Sequence, residues 1–394
     1  MTGTGGTGHD RADRIAVSRR AVLAGAAATV TAVALGACSK ESSTTGSATT
    51  SGPGSSSSGT ASTAASVAPS TAAEEEGRYV PPAHGGSWET VDAADVGWSA
   101  EGLEAVARLA ETSNSSTLTV LVGGRLVLER YFAGSTAESV QDIASCQKSV
   151  TSTLVGMSVE RGELELDQPV SDLLPVGWSK AEPASEAVIT IRHLLTMTSG
   201  LHPRRLTRVA EPGVTFDYNT AAYQKLRPAL EEATGSDIDA LSRERLFDPV
   251  GMSPLAVWEP RPDLPQFRDP TGALEWGLKL PARDMARFGL LALRKGTWGA
   301  DELVSAAWFD EAWTSSPAQV DYGYLWWLLG RRQGARNRVP EDWVAALGAG
   351  DQKVFVVPSL DLVVTRQGAA AKEATEARSS FDGDLISALL AARA

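Results

Sequence analysis

The sequence predicts an α+β fold in which an antiparallel β-sheet is flanked by helices, with a mainly helical region inserted into it. Three observations predict this fold. β-Rich segments lie near both ends of the folded part, helical periodicity fills the middle, and one more helix closes the chain. Strands from both ends of the chain would meet in one sheet. We expect the functional cleft between the sheet and the inserted region.

The individual elements follow from hydrophobic periodicity and turn residues. Residues 117–122 and 126–132 are β-rich runs around Gly123-Gly124-Arg125, which predicts an antiparallel hairpin with a glycine turn. Near the other end, strands 353–357 and 362–365 are joined by residues 358–361. The predicted helices are 99–112, a helix from Ser145 to a stop near Gly162, 188–198, 221–233, 282–293 and 381–392.

The composition limits the classes of function. The 394 residues carry a formal net charge of -12, with 48 acidic and 36 basic residues, which argues against nucleic acid as a partner. The two cysteines provide neither a disulfide framework nor a thiolate-rich metal site. The four histidines lack His-Glu-x-x-His spacing, so the sequence predicts no catalytic metal and no cofactor.

The first 38 residues predict an export signal. Arginines precede an uncharged apolar run, residues 21–35, that is too short to span a bilayer comfortably as a mature helix. Residues 18–23 resemble a twin-arginine export motif, and residues 35–38 resemble a bacterial lipobox. This resemblance implies cleavage before Cys38 and lipid attachment to its sulfur. The alternative is an ordinary signal peptide that is cut nearby.

Residues 39–77 predict a disordered linker, because they are almost entirely Ser, Thr, Gly and Ala and end near an acidic run. A tether after a lipidated Cys38 would let the folded domain stand off the membrane. The sequence thus predicts an extracytoplasmic, lipid-anchored protein. The folded domain would occupy residues 78–394, with the helical insert at about residues 166–275.

The candidate chemistry begins with Ser145-Cys146-Gln147-Lys148, a Ser-x-x-Lys tetrad at a predicted helix start. Residues three apart on a helix share a face, so the Ser145 hydroxyl and the Lys148 amine would meet. Serine becomes a good nucleophile when a base takes its proton, and lysine becomes that base when its pKa falls toward neutrality. On its own, the tetrad also fits an ordinary helix start with a solvated lysine.

Two later segments supply the remaining groups of a serine–lysine hydrolase. Tyr218 follows a Pro-Gly turn and can act as acid and base if a cationic Lys148 lowers its pKa. Small residues ahead of strand 353–357 would let a substrate approach the strand edge, where an amide near Gly350 or Asp351 could join that of Ser145 as an oxyanion donor. The residues expected to bind the substrate or its oxyanion are Gly348, Gly350, Asp351 and Thr220.

The order of these motifs resembles the penicillin-recognising serine hydrolases. Segments 189–201, 282–289 and 322–327 are similar to the branch related to class C β-lactamases. The resemblance spans about residues 88–390. It implies that Ser145 is acylated, that Lys148 is its base, and that Tyr218 shuttles protons and activates the deacylating water. Cys146 and Gln147 receive no role, and His193 is expected to be structural.

The sequence departs from the family pattern in two places. The β-lactamases carry Lys-Thr-Gly at the third motif, where this chain has residues 348–350, Gly-Ala-Gly. That lysine helps to hold the substrate carboxylate, so its loss argues against β-lactam and D-Ala-D-Ala recognition. Arg366 and Lys353 are the candidates to replace its charge. The triplet 218–220 reads Tyr-x-Thr rather than Tyr-x-Asn, which resembles the esterase and 6-aminohexanoate-oligomer hydrolase branch.

The primary functional prediction is an exported serine hydrolase that cleaves a small-molecule carboxylic ester or amide through an acyl-enzyme. The first alternative is a β-lactamase or D,D-peptidase that acts on cell-wall peptides or their analogues. The second is a non-catalytic homologue that uses the same fold to bind a ligand.

Overall fold

A computed structural model describes residues 78–331, 339–371 and 379–393 of the chain. The predicted export signal, the lipidation site Cys38 and the linker lie outside the described residues. The insert boundaries at about 166 and 275 and the domain limits stay predictions. None of the helices in the described ranges has the length and apolar character needed to cross a membrane.

Helices form the flanks of the molecule and most of its middle part. In the described ranges the α-helices are α1 (Ala100–Thr112), α2 (Gln147–Glu160), α3 (Pro183–Glu186), α4 (Ile191–Leu195), α5 (Thr220–Tyr223), α6 (Leu226–Thr234), α7 (Ile238–Ser242), α8 (Ala282–Leu293), α9 (Ala306–Ala312) and α10 (Ser380–Ala391). Short 3-10 turns include Ala144–Cys146, which leads directly into α2.

In the described parts of the chain the strands form three antiparallel sheets. They are β1 (Ser115–Val122), β2 (Arg125–Tyr131), β3 (Val140–Asp142), β4 (Val257–Pro260), β5 (Trp276–Pro281), β6 (Thr297–Trp298), β7 (Asp301–Glu302), β8 (Val344–Gly348), β9 (Gln352–Val357) and β10 (Leu362–Gly368). The main sheet has the order β2-β1-β10-β9-β8, and a smaller sheet has the order β3-β5-β4. The N-terminal hairpin β1–β2 therefore pairs directly with β10 from the end of the chain.

Helices cover both faces of the main sheet. Gly289 of α8 fits closely against one face, because a Cβ there would lie 2.6 Å from Val363 and 2.9 Å from Val354. The next side chain along β9, Lys353, points to the other face and pairs with Asp382 of α10 at 2.5 Å. This alternation is that of a strand buried on both sides. The sheet with helices on both faces confirms the predicted α+β class.

Two predicted helices differ from the observed ones. The helix expected over 188–198 is limited to α4, because Thr190 is extended and caps the helix through His193, and Met197 has a left-handed φ of 56°. His193 therefore has the structural role expected of it. The helix expected over 221–233 is interrupted after Tyr223, where Gln224 and Lys225 direct their side chains to Trp276 and Asp269.

Candidate active site

Ser145 lies in the tight turn between β3 and α2. The chain leaves β3 at Asp142, whose carboxylate accepts the Ala144 amide at 2.7 Å. Ala144 has a φ of 49°, an uncommon backbone state for a residue with a side chain and one that clusters at functional sites. The α-helix begins at Gln147 rather than at Ser145, so the serine occupies the 3-10 turn ahead of it. Its side chain is partly exposed.

The Ser145 and Lys148 side chains meet, as the spacing predicts. The Lys148 ammonium nitrogen Nζ lies 2.9 Å from Ser145 Oγ and 3.3 Å from Thr220 Oγ1. It also lies 5.0 Å from the ring centre of Tyr218 and 4.5 Å from that of Tyr223. Because Lys148 is only 2% exposed, the loss of hydration lowers its pKa to about 7. A large fraction of Lys148 is therefore neutral at physiological pH.

Tyr218 completes this cluster beside Ser145 and Lys148. Its hydroxyl shares a hydrogen bond with Ser145, its ring stacks on Trp327 with centroids 5.8 Å apart, and Tyr322 packs edge-on against it. Burial of the phenol raises its pKa far more than the Ser145 hydrogen bond lowers it. The expectation that Lys148 lowers the Tyr218 pKa was wrong, since Lys148 is itself desolvated. Tyr218 remains a neutral proton donor.

The third motif, residues 348–350, forms the end of the β8–β9 hairpin. It lies against residues 143–146, the turn that carries Ser145 and is called the serine turn below. A Cβ on Gly348 would lie 2.5 Å from the carbonyl oxygen of Ile143 and 3.2 Å from the Ala144 Cβ. Only glycine permits this approach without a shift of the backbone. The buried Cys146 thiol donates to the carbonyls of Ala346 and Gln352, each at 3.3 Å, which ties the same turn to both strands.

The outer edge of β8 is partly occupied by the chain itself. Ala345 and Trp327 exchange backbone hydrogen bonds of 2.9 and 2.8 Å. In an antiparallel strand every second residue directs its N–H and C=O to the same side. Leu347 therefore directs its backbone groups to the same edge as Ala345, one step closer to Gly348. Sequence reasoning did not single out Leu347, because strand register decides which amide faces outward.

The backbone carbonyls of Gly350 and Asp351 and the Asp351 carboxylate are bound by cations in the interior of the fold. The two carbonyls accept Arg366 at 2.7 and 3.0 Å, and the Asp351 carboxylate pairs with Lys353 at 2.9 Å. Asp351 also accepts the Ser379 hydroxyl at 2.5 Å. Arg366 and Lys353 are fully buried in these contacts. The expectation that either replaces the family lysine was wrong, since both cations hold the hairpin from inside the fold.

Two glutamines, to which the sequence analysis gave no role, hold strand β5 beside the site. Gln147 donates to the Trp276 carbonyl at 2.9 Å and accepts the Leu278 amide at 2.9 Å, so it docks β5 onto the start of α2. Gln224 donates to the same Trp276 carbonyl at 3.0 Å. Gln147 is only 2% exposed, so its amide needs these partners, and nothing in the spacing of the tetrad predicts that burial. Within the described ranges no group of three or more acidic, His or Cys side chains could hold a metal ion.

The antiparallel sheet with flanking helices, together with a desolvated lysine beside a serine, defines the class of a serine hydrolase. Comparison with known families agrees with this class. Residues 105–380 match the family model described as Beta-lactamase, so the chain belongs to the β-lactamase family of serine hydrolases. The family resemblance stated from the motifs is confirmed.

The relatives include a 6-aminohexanoate-dimer hydrolase and penicillin-binding proteins. The 6-aminohexanoate-dimer hydrolase of Paenarthrobacter ureafaciens is 25% identical over 316 residues, covering 66% of this chain and 73% of that protein. Penicillin-binding protein 4 of Amycolatopsis lactamdurans is 32% identical over 137 residues, which are 30% of this chain and 36% of that protein. The latter match thus spans little more than a third of the relative.

Solved structures show the same fold. The crystal structure of a penicillin-binding protein homologue from Caulobacter crescentus superposes with a TM-score of 0.57 at 16% identity, covering 75% of this chain and 99% of that one. At this identity the likeness concerns the fold alone.

Replacing Gly348 with alanine is expected to lower kcat/KM for an ester substrate by about 100-fold, because the added Cβ displaces the turn that carries Ser145. Steady-state kinetics with a p-nitrophenyl ester, beside a thermal unfolding curve, provide the measurement. Gly383→Ala is the matched control, since its Cβ would meet nothing within 4 Å. Full activity of Gly348→Ala would show that the two backbones do not need this close approach.

Proposed function

We propose that this protein is an exported serine hydrolase that cleaves a carboxylic ester or amide through an acyl-enzyme on Ser145. The observation that carries the proposal is the 2.9 Å contact between Ser145 Oγ and a lysine whose pKa is about 7. A base with a pKa near the working pH combines a useful deprotonated fraction with adequate basicity. Lys148 meets both conditions because it is buried.

Acylation starts with neutral Lys148. As Ser145 Oγ attacks the substrate carbonyl carbon, Lys148 Nζ takes the hydroxyl proton, and the carbonyl π electrons move to the oxygen. When the tetrahedral intermediate collapses, the bond to the leaving group breaks and Tyr218 donates its phenolic proton to that group. The Lys148 ammonium then returns a proton to the phenolate. The cluster ends neutral, with Ser145 acylated.

Deacylation reverses these roles with water as the nucleophile. Lys148 and Tyr218 both hydrogen-bond Ser145 in the free enzyme. Tyr218 passes its proton to Lys148 and takes the proton of a water molecule that attacks the acyl carbon, and the Lys148 ammonium returns a proton to the departing Ser145 Oγ. Thr220 Oγ1, 3.3 Å from Lys148 Nζ, helps to hold the amine in this position. No imidazole is required for the cycle.

The oxyanion needs two backbone donors. We assign them to the amide of Ser145, at the start of the tight turn, and to the amide of Leu347, on the outer edge of β8. The sequence pointed to an amide near Gly350 or Asp351 instead. The register favours Leu347, because Gly348 holds the β8 end against the serine turn while Arg366 binds the Gly350 and Asp351 carbonyls from the interior.

Ester or amide hydrolysis is favoured over β-lactam hydrolysis by the third motif. The family lysine that would hold a carboxylate is absent, and the candidate replacements Lys353 and Arg366 are 0% exposed. A panel of p-nitrophenyl esters assayed beside nitrocefin tests the proposal. We expect ester turnover and fluorophosphonate labelling. Efficient nitrocefin turnover without esterase activity would favour a β-lactamase or D,D-peptidase, and absence of all three signals would favour a non-catalytic binding protein.

Export and lipid anchoring form the second part of the proposal and rest on the sequence of the first 38 residues. Replacing Cys38 with alanine is expected to move the protein from the membrane fraction to the soluble extracytoplasmic fraction, because the acylated sulfur is lost. Metabolic labelling with a fatty-acid analogue and cell fractionation provide the measurement. Cys146→Ala is the control, since that thiol is buried. Label retained in Cys38→Ala would contradict lipidation at this residue.

A further inference from the structure

Glu275 lies immediately before β5, the strand that Gln147 of the Ser-x-x-Lys tetrad holds against the start of α2. Its peptide unit is fixed on both sides, since its amide donates to the Phe267 carbonyl and its carbonyl accepts the Arg261 amide, each at 2.8 Å. The next carbonyl, that of Trp276, is held by Gln147 from the serine–lysine segment. Glu275 is therefore attached to a rigid frame that adjoins Lys148.

The strand pattern gives the direction of the Glu275 side chain. Residues two apart along a strand share a face, so Glu275 lies on the same side as Gly277. A Cβ on Gly277 would lie 2.8 Å from Asp142 Oδ2 and 3.4 Å from the Arg261 guanidinium carbon. Asp142 in turn holds the amide of Ala144, next to Ser145. Glu275 thus shares the face of β5 that borders the serine turn.

The cations near Glu275 are paired with other carboxylates, which leaves the negative charge of Glu275 without a counter-ion. Arg261 is paired with Asp142, and the neighbouring Lys225 is paired with Asp269 at 2.5 Å. Lys148 is largely neutral above pH 7. Within the described ranges no hydrogen bond or ion pair engages the Glu275 carboxylate, which feels Arg261 and Lys148 only through space. Partial burial raises its pKa, as expected for a carboxylate that lacks full solvation and a direct partner.

We propose that Glu275 makes the enzyme selective for esters or amides that carry a cationic ammonium group near the scissile bond. The proposal rests on the hydrolase function proposed above and adds a substrate class to it. An incoming ammonium would supply the missing counter-charge in a partly desolvated site, where such an attraction is stronger than in water. A carboxylate at the same place would be repelled. The negative charge of Glu275 therefore disfavours binding of ligands that carry a carboxylate, such as β-lactams.

Three matched p-nitrophenyl esters test this selectivity, with acyl chains that end in trimethylammonium, in the isosteric tert-butyl group, or in carboxylate. At pH 8 the wild type is expected to prefer the cationic ester over the tert-butyl ester by about tenfold in kcat/KM. In Glu275→Gln this preference should fall to about twofold or less. Each preference is a ratio of kcat/KM values within one variant, so a change in the Lys148 pKa that alters the rates with both esters cancels. The ratio of the carboxylate ester to the tert-butyl ester should rise.

Glu259→Gln is the matched control, because it removes one negative charge from the neighbouring strand β4, where Glu259 pairs with Lys279 at 2.8 Å. It should keep the wild-type preference. Equal rates for the three esters in the wild type, or an unchanged preference in Glu275→Gln, would overturn the proposal. Loss of the proposed hydrolase function is a different result, because the tert-butyl ester would then show no turnover that depends on Ser145.

Discussion

Replacing Ser145 with alanine is expected to lower kcat/KM for ester substrates by at least about 10,000-fold, because no acyl-enzyme can form. The fold should be unchanged, since the side chain is partly exposed and its hydroxyl hydrogen-bonds the Lys148 and Tyr218 side chains rather than packing in the core. Kinetics with a p-nitrophenyl ester and intact-protein mass spectrometry after fluorophosphonate treatment provide the measurement. The adduct should be present in the wild type and absent from the variant.

Ser152→Ala is the matched control for this experiment. Ser152 lies on the same helix as Lys148, it is fully buried, and its hydroxyl has no hydrogen-bond partner in the described part of the chain. Its loss should change neither activity nor labelling. Equal labelling of Ser145→Ala and the wild type would place the nucleophile at another residue and would remove the basis of the proposed mechanism.

Replacing Lys148 with methionine is expected to lower kcat about 1,000-fold or more, because the Ser145 proton loses its acceptor. In the wild type, kcat/KM should rise with pH through an apparent pKa of about 7 and reach a plateau above it, since the neutral amine is the active form. Lys148→Arg keeps the positive charge and should be inactive across the same range. A wild-type profile that is flat between pH 6 and 8 would rule out Lys148 as the base.

Lys148→Met is also expected to stabilise the fold. Lys148 has a pKa of about 7 in the folded protein against 10.5 as its ordinary value, so between these pH values the unfolded chain binds a proton that the folded chain does not. The wild-type stability therefore rises from pH 7 toward 10.5. Lys148→Met should gain about 1–3 kcal/mol at pH 7 and progressively less above it. The measurement is the free energy of unfolding by denaturant at pH 7 and at a pH closer to 10.5, for the wild type and for Lys148→Met.

Local motifs predicted the part of the site that lies close together in sequence. Ser145 and Lys148 are three residues apart, so the turn of a helix was sufficient to place them in contact. Helix α8, the hairpin β1–β2 and the strands β9 and β10 also appeared in the hydrophobic pattern within a few residues of their observed bounds. In each case a short-range periodicity carries the information.

Long-range relations could not be predicted in the same way. The Leu347 amide faces the edge of β8 because of its register with β9 and Trp327, and a single sequence does not specify register. From the sequence, Arg366 and Lys353 were candidates to bind an anionic group of the substrate. Their burial could not be predicted, because it arises only when β9, β10 and α10 come together. The Tyr218 pKa was misjudged for a related reason, since desolvation depends on packed neighbours and not on sequence spacing.

The pairing of Lys353 with Asp382 has a consequence for the order of events during folding. The hairpin end that approaches Ser145 is bound through Asp351 and Lys353 to α10. The central strand of the main sheet, β10, pairs with the much earlier strand β1. A folding intermediate in which α10 has not yet docked therefore lacks the contacts that hold its third motif. The third motif would reach its final position beside Ser145 only in a late and cooperative step.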